Sequence, residues 1–356
     1  MKVPQIDTQR RILQLDGLRA VAFFIVVCEH LSILPFGWMG VDIFFVLSGF
    51  LVTSILRRRV GQEEVLGQFY YNRVRRILPA YILCLSFCTI FFPVDWHSAW
   101  PFFTLPLENI ATSYHYKVGP LGPLWSLAVE EQFYFFWPLL VLMLSRRSLI
   151  KVLAVILVLS PFIRAACTPL FSDYWKIYEL TPFRVDSICA GALISLLVEQ
   201  GDWVYRLKKI AKPLLCVAIS CLLILSIAGY HRTDNSIIYN ALGYSLTYLG
   251  GAGVLLWSLT SSDGPLYSLL MFRPLRFVGT ISYCAYLIHY PMMTVFQQVG
   301  AHHMIHRGKL LALLSIPVTL LFASMSWFLI ENPILHYKKR STELGSREFV
   351  SKGSNS

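Results

Sequence analysis

The chain has 356 residues, of which 56% are hydrophobic and only 14% are charged, whereas ordinary soluble domains carry roughly 25% charged residues. A soluble fold of this size cannot bury so much apolar surface, so we expect a membrane protein. The formal net charge of +11 comes from short Lys and Arg clusters between apolar runs. That pattern is typical of membrane topology and argues against nucleic acid as a partner.

A helix needs about 20 mostly apolar residues to cross a bilayer, and ten segments qualify. In chain order they are residues 18–35, 40–58, 77–93, 124–145, 148–167, 180–199, 210–230, 237–260, 279–299 and 309–331. The aromatic and proline-rich stretch 94–123 fits an interfacial or re-entrant piece.

The positive-inside rule orients these segments. With the N-terminus in the cytoplasm, most of the 31 Lys and Arg residues fall on the inner side. The asymmetry requires an even number of spans, which ten satisfies. We therefore predict an all-α fold, a polytopic bundle of about ten transmembrane helices over residues 1–336, with both termini cytoplasmic. Residues 337–356 are polar and predicted to be a disordered tail.

Ionisable residues inside an apolar span are costly and mark functional sites. The first span carries Arg19 and His30, which lie about 16 Å apart on a helix. Glu29 precedes His30, and Asp42 opens the second span. A neutral histidine in a low-dielectric cavity can take a proton from an alcohol, and Asp42 or Glu29 would fix its tautomer. Catalysis is favoured over a histidine that only hydrogen-bonds between helices.

Three arginines, Arg73, Arg75 and Arg76, stand at the predicted cytoplasmic end of the third span, in QFYYNRVRRILPAY. Arginine presents a fork of donors that matches phosphate. The cluster would suit a donor with several phosphates, such as acyl-CoA. Charge alone favours the other interpretation, that these residues only anchor a helix end.

Two adjacent carboxylates, Glu130 and Glu131, lie about one turn inside the fourth span, in GPLGPLWSLAVEEQFYFFWPLL. Both are not expected to face lipid. They are candidates to bind a sugar hydroxyl, to pair with Arg184 or to orient His30. Arg184 and Asp186, at the outer start of the sixth span, either face a cavity or form an ion pair.

Two further motifs occur near the C-terminus. SYCAYLIHYP brings Tyr283, Tyr286 and His289 together in the ninth span, and Glu331 is interpreted as a helix-end ion pair. The string AHHMIHRG has metal-like spacing but lacks a neighbouring Glu or Cys, so no metal site is predicted. Its histidines are His302, His303 and His306.

Seven motifs in this order resemble the membrane-bound acyltransferase-3 family of sugar O-acyltransferases. They are LDGLRAVAFFIVVCEH, GVDIFFVLSGFLVT, FYYNRVRRILPAY, LWSLAVEEQFYFFWPLL, FRVDSICAG, SYCAYLIHYP and FLIENP. The resemblance extends from residue 13 to residue 334 and implies a bacterial inner-membrane enzyme of about ten helices. It implies acyl transfer, most often acetyl, from cytoplasmic acyl-CoA to a carbohydrate that is lipid-linked or exported.

The family's motifs map onto residues of this chain. Its arginine-x10-histidine motif corresponds to Arg19 and His30, its RxR element to Arg73 and Arg75, and its WSLxxEExFY element to Glu130 and Glu131. The expected catalytic residues are His30, Asp42 and Glu130. The expected acyl-CoA-binding residues are Arg19, Arg73, Arg75 and Arg76. The expected acceptor-binding residues are Glu131, Tyr134, Arg184 and Asp186.

The resemblance implies no permanently bound cofactor and no metal, because a thioester is already activated. His30 would act as a general base or form a transient acyl-imidazole. Membrane lipid is an expected partner, and the sequence leaves the oligomeric state open. The rival interpretation is a proton- or solute-coupled transporter, since polar clusters in a membrane also mark transport paths.

Overall fold

The computed structural model describes residues 12–199, 201–302 and 308–336, and every element within these ranges is helical. The α-helices are α1 Leu13–His30, α2 Met39–Arg57, α3 Val65–Phe91, α4 Trp96–Thr104, α5 Glu108–Ser113, α6 Trp125–Met143, α7 Arg146–Cys167, α8 Trp175–Glu179, α9 Thr181–Val198, α10 Gly201–Ile227, α11 Tyr244–Thr260, α12 Gly264–Met271, α13 Arg273–His302 and α14 Gly308–Ser326. A π-helical segment, Tyr239–Gly243, precedes α11, and another, Trp327–Glu331, follows α14.

Each of the ten predicted spans overlaps one of these helices, which confirms the all-α class. Six helical stretches are long and apolar enough to cross a membrane. They are Met39–Arg57, Val65–Phe91, Arg146–Leu170, Trp175–Val198, Trp203–Ile227 and Leu311–His336. The other four predicted spans, in α1, α6, α11 and α13, are not among these six. A count of ten crossings and the orientation therefore stay predictions.

The structure corrects one helix boundary. The third predicted span begins at residue 77, but α3 begins at Val65 and runs for 27 residues. Its arginine cluster therefore lies within the helix and not at its end. The stretch 94–123 forms only short helical pieces, α4, α5 and the 3₁₀ turn Gly119–Leu124.

The chain divides into two compact units. The first contains the chain up to Val65 together with Phe92–Ser282, and the second contains Leu66–Phe91 together with the chain from Tyr283 onward. The core of the first unit is formed by apolar side chains of α1, α2, α9, α10, α11 and α12. Most of α3 and the C-terminal part of α13 belong to the second unit.

Helices α2 and α9 cross closely at the centre of the first unit because glycines face each other there. An added Cβ at Gly49 would lie 1.9 Å from the carbonyl oxygen of Ile188, and one at Gly191 would lie 1.8 Å from that of Val46. Nearby, the hydroxyls of Ser54 and Ser195 share a hydrogen bond of 2.8 Å. Small residues allow this approach, as is usual between membrane helices.

We predict opposite effects of two Gly→Ala substitutions. Gly191→Ala should force α2 and α9 apart and cost about 1–3 kcal/mol or more. Gly67→Ala should be neutral or should stabilise α3 by up to about 1 kcal/mol, because an added Cβ meets no atom within 4 Å. Thermal unfolding of the purified protein in detergent measures both effects. A Gly191→Ala variant as stable as the parent would contradict this crossing.

Candidate active site

Four ionisable residues of the first unit lie at corresponding ends of their helices. His30 ends α1, Asp42 lies in the first turn of α2, and Arg184 lies in the first turn of α9. Arg164 lies in the last turn of α7. Because the helices alternate in direction, residues far apart in sequence meet at this end, which the charge pattern predicts to be the outer one.

An ion pair between Asp42 and Arg184 lies at the centre of this cluster. Nη2 of Arg184 donates to both carboxylate oxygens of Asp42 at 2.8 Å, and the hydroxyl of Ser187 donates to Oδ1 at 2.7 Å. Both charged side chains are fully buried. Arg184 thus pairs with Asp42, and not with Glu130 or Glu131, which was one of three alternatives for those two carboxylates.

Aromatic rings surround the guanidinium of Arg184. Its central carbon lies 4.6 Å from the ring centre of Tyr244, 5.3 Å from that of Tyr178, 5.9 Å from that of Phe45 and 6.0 Å from that of Trp125. Nε and Nη1 of Arg184 and the hydroxyl of Tyr244 are buried and have no hydrogen-bond partner among the described residues. Because such groups are costly when unsatisfied, we interpret these donors as directed at a substrate oxygen.

Arg164, in contrast, is saturated with structural contacts. It donates to Asp186 at 2.6 Å, to the carbonyl oxygens of Phe183 and Asn240 at 2.8 and 2.7 Å, and to the hydroxyl of Ser245 at 2.6 Å. The π-helical segment contributes the Asn240 carbonyl. This residue ties α7 to α9 and α11. The sequence analysis did not single out Arg164 as a site residue, although an arginine within an apolar span was a sufficient signal.

Both carboxylate oxygens of Asp186 accept hydrogen bonds within the protein. One of its oxygens accepts from Arg164, and the other accepts from the backbone N–H of Ser187 at 3.0 Å. Asp186 does not pair with Arg184, and its side chain is buried. The structure thus gives it an anchoring position, and its predicted contact with the acceptor stays a prediction.

Glu29 links the end of α1 to two loops. Its Oε2 accepts from the backbone N–H of Trp38 at 2.9 Å, and its Oε1 accepts from Nη2 of Arg232 at 3.3 Å. Both oxygens of Glu29 thus accept hydrogen bonds from Trp38 and Arg232, and both oxygens of Asp42 accept from Arg184. The orientation of His30 by either carboxylate stays a prediction.

Arg232, in the loop after α10, is a second arginine surrounded by aromatic rings. The sequence analysis did not identify it. Its central carbon lies 4.4 Å from the ring centre of Tyr178, 5.2 Å from that of Trp38 and 5.3 Å from that of Tyr174. Burial opposes its charge, but the neighbouring tyrosines and Glu29 more than offset this, so the pKa of Arg232 lies above its ordinary value. Arg232 therefore stays cationic. Its charge also acts on His30.

Glu130 is held by two hydroxyls. Ser48 of α2 donates to Oε1 at 2.9 Å, and Tyr134, one turn along α6, donates to Oε2 at 2.8 Å. The structure thus joins two predicted site residues, Glu130 and Tyr134. Glu131 is half-buried on α6, and on a helix its side chain points about 100° away from that of Glu130.

Gln132, the next residue of α6, is a hub that the sequence analysis did not identify. Its amide nitrogen donates to the Pro106 carbonyl at 2.6 Å and to the side chain of Asn109 at 3.1 Å. Its amide oxygen accepts from the hydroxyl of Thr181. These bonds fix the start of α9, and therefore Arg184, relative to α5 and α6.

The second unit contains the arginine cluster of α3. The guanidinium of Arg73 stacks on Phe69 at 5.4 Å, and that of Arg75 stacks on Tyr71 at 5.2 Å. On a helix Arg73 and Arg76 share a face, whereas Arg75 points to another one. The two arginines of the RxR pattern therefore do not form a single phosphate-binding face by themselves.

The other singled-out residues occupy various places. Arg19, in the first unit, is half-buried in α1.

The residues singled out near the C-terminus lie in the second unit. The hydroxyl of Tyr283 donates to the Ile77 carbonyl at 3.4 Å, and Nδ1 of the buried His289 lies 2.5 Å from the Tyr286 carbonyl oxygen. Glu331 accepts from the hydroxyl of Ser326 at 2.8 Å. The described residues contain no metal-binding group of three His, Cys, Asp or Glu side chains.

Two predictions fall on parts of the chain that are not described. They concern the side chains of the AHHMIHRG string and the tail over residues 337–356.

Known proteins resemble this chain over nearly its whole length. A family model described as an acyltransferase domain matches residues 12–330. The chain is 32% identical over 366 residues to YrhL of Bacillus subtilis, a candidate peptidoglycan O-acetyltransferase. It is 29% identical over 360 residues to the peptidoglycan O-acetyltransferase OatA of Listeria monocytogenes, and 28% identical over 364 residues to the O-acetyltransferase OatA of Staphylococcus aureus.

These alignments cover 91 to 94% of this chain but only 55 to 58% of the relatives. The chain thus spans little more than half the length of the curated relatives it matches. No solved structure matches the chain.

The buried ion pair leads to a stability prediction. Asp42→Asn leaves the guanidinium of Arg184 without its counter-charge and should cost about 3–5 kcal/mol. Glu199→Gln, which breaks partly exposed ion pairs with Arg57 at 3.3 Å and Arg146 at 3.4 Å, should cost about 1 kcal/mol or less for each pair. Thermal unfolding of the purified variants compares them, and equal losses would contradict the central position of the buried pair.

Proposed function

The chain belongs to the acyltransferase-3 family of membrane acyltransferases, and from this membership we propose that it transfers an acyl group, preferably acetyl, from acyl-CoA to a hydroxyl of a cell-envelope carbohydrate. The names of the relatives point to peptidoglycan or a similar glycan as the acceptor. The observation that carries the proposal is the buried guanidinium of Arg184, which Asp42 fixes while Nε and Nη1 remain available.

We assign the proton transfer to His30. Its imidazole takes the proton of the acceptor hydroxyl, whose oxygen attacks the thioester carbonyl carbon. The resulting tetrahedral oxyanion accepts hydrogen bonds from Arg184 and the hydroxyl of Tyr244. The intermediate collapses by breaking the carbon–sulfur bond, and the departing CoA sulfur receives the proton from His30. Donors that are held in place before reaction stabilise such an oxyanion most effectively.

The remaining residues position these groups. Asp42 and Ser187 fix Arg184, and we propose this anchoring role for Asp42 in place of direct contact with His30. Glu130, with Tyr134 and Glu131, is proposed to bind hydroxyls of the acceptor sugar, because carboxylates accept such hydrogen bonds well. Arg73 and Arg76, which share a face of α3, are proposed to bind phosphates of acyl-CoA.

An assay with labelled acetyl-CoA tests the reaction class. Purified protein with a glycan acceptor should release CoA and label the glycan. A transporter would release no CoA, so an intact thioester after incubation would refute the proposal.

His30→Ala should lower acetyl transfer by about 10²–10⁴-fold, because the acceptor hydroxyl loses its base. The amount of the His30→Ala protein in the membrane should equal that of the parent. His97→Ala, a histidine with an exposed side chain in α4, is the matched control and should keep full activity. Full activity of the His30 variant would remove His30 from the mechanism.

Arg73→Ala should raise the KM for acetyl-CoA about tenfold or more, since a charge-assisted hydrogen bond is worth about 1.5–3 kcal/mol. The kcat at saturating acetyl-CoA should change less. Arg147→Ala, which removes an exposed arginine at the start of α7, controls for the loss of a surface charge. An unchanged KM would count against phosphate binding by Arg73.

A further inference from the structure

A groove opens at the same end of the first unit as the candidate active site. Its volume is about 530 Å³ and it is partly open. Its lining includes the last part of α10 with Ile219 and Leu223, which forms the α10 wall, and the aromatic side chains of Trp38 and Tyr239, which form the aromatic wall. None of the functions assigned above uses this groove.

The α10 wall faces the bilayer side of the protein. The candidate span Trp203–Ile227 is only 11% buried, and its apolar side chains Leu223 and Ile224 are 52% and 63% exposed. In a membrane such a surface contacts lipid chains. A long apolar chain can therefore lie along α10 and enter the groove from the bilayer.

Part of the groove lining is basic. It contains Arg232 and His231, and none of the lining residues is acidic. Among the described residues, the guanidinium of Arg232 donates a hydrogen bond only to Glu29, from Nη2. Its other N–H groups and the hydroxyl of Ser226 form a donor set that suits phosphate, whereas the Thr233 hydroxyl donates to Asp234 at 3.4 Å.

The aromatic wall joins the groove to the candidate active site. Trp38 and Tyr239 line the groove, and their ring centres lie 5.9 and 5.8 Å from that of Tyr244, which stacks on Arg184. Rings of this kind also pack well against the apolar faces of sugars. The groove lining thus offers a matching surface to an apolar chain, to a phosphate and to a sugar.

We propose that this groove binds the acyl acceptor as a lipid-linked glycan, with its hydrocarbon chain along α10, its phosphate at Arg232 and its first sugar against Trp38. This inference rests on the proposed acyl transfer and specifies how the acceptor arrives. Arg232 recognises the lipid through its phosphate, and the sugar hydroxyl points toward the aromatic rings around Arg184.

Binding of a long-chain polyprenyl phosphate to the purified full chain tests this proposal, by native mass spectrometry without acyl-CoA. Leu223→Trp, which fills the groove, and Arg232→Gln should each raise the Kd at least tenfold, as expected for loss of a contact worth about 1.4 kcal/mol or more. Ile224→Trp is the matched control, because Ile224 is equally exposed on α10 but does not line the groove, and its Kd should stay within twofold.

Three results would overturn the proposal. They are an unchanged Kd for Leu223→Trp, equally tight binding of the polyprenol that lacks phosphate, and full competition by inorganic phosphate at equal concentration. The test is independent of the reaction. A chain that binds the lipid at the groove but never releases CoA refutes only the acyl transfer. A chain that acylates soluble glycan but does not bind the lipid refutes only the groove assignment.

Discussion

The buried ion pair between Asp42 and Arg184 is the interaction on which the proposed site depends. Two full charges leave water only if their geometry compensates for lost hydration, and here one nitrogen contacts both carboxylate oxygens at 2.8 Å. The pair also fixes α2 against α9, where Gly49 and Gly191 already bring the two backbones together. Packing and electrostatics therefore select the same helix arrangement, and the free side of the guanidinium is held in one orientation.

Three arginines of this unit each pair with one carboxylate, yet they differ in how completely they are satisfied. Arg164 donates to three elements and leaves no donor for a ligand, which is the pattern of a structural clamp. Arg184 and Arg232 each donate to one carboxylate and otherwise stack on aromatic rings. Since stacking does not use up the N–H groups, we propose substrate contacts for Arg184 and Arg232 and not for Arg164.

The sequence predicted the helical segments because long apolar runs favour membrane helices, although only six of the helices meet the length and hydropathy expected of a span. It marked Asp42, Glu130 and Arg184 because charge within an apolar run is rare. It could not predict the partners. Periodicity gives the face on which a residue lies but not the residue it meets 142 positions away, as for Asp42 and Arg184. Loop charges such as Arg232 look like topology signals until the fold places them against Tyr178.

The π-helical segment Tyr239–Gly243 connects the two halves of the proposed site. Its first residue, Tyr239, lines the groove and packs on Tyr244, while the carbonyl of its next residue, Asn240, accepts from Arg164 in the core. π-helical segments are rare in proteins overall, but a large share of them occur at functional sites. Because Arg164 holds the residue after Tyr239 and Tyr244 packs against its ring, we expect Tyr239 to keep its position when the groove is filled. The proposed acceptor would then meet an aromatic wall that is already in place, without a large rearrangement of the helices.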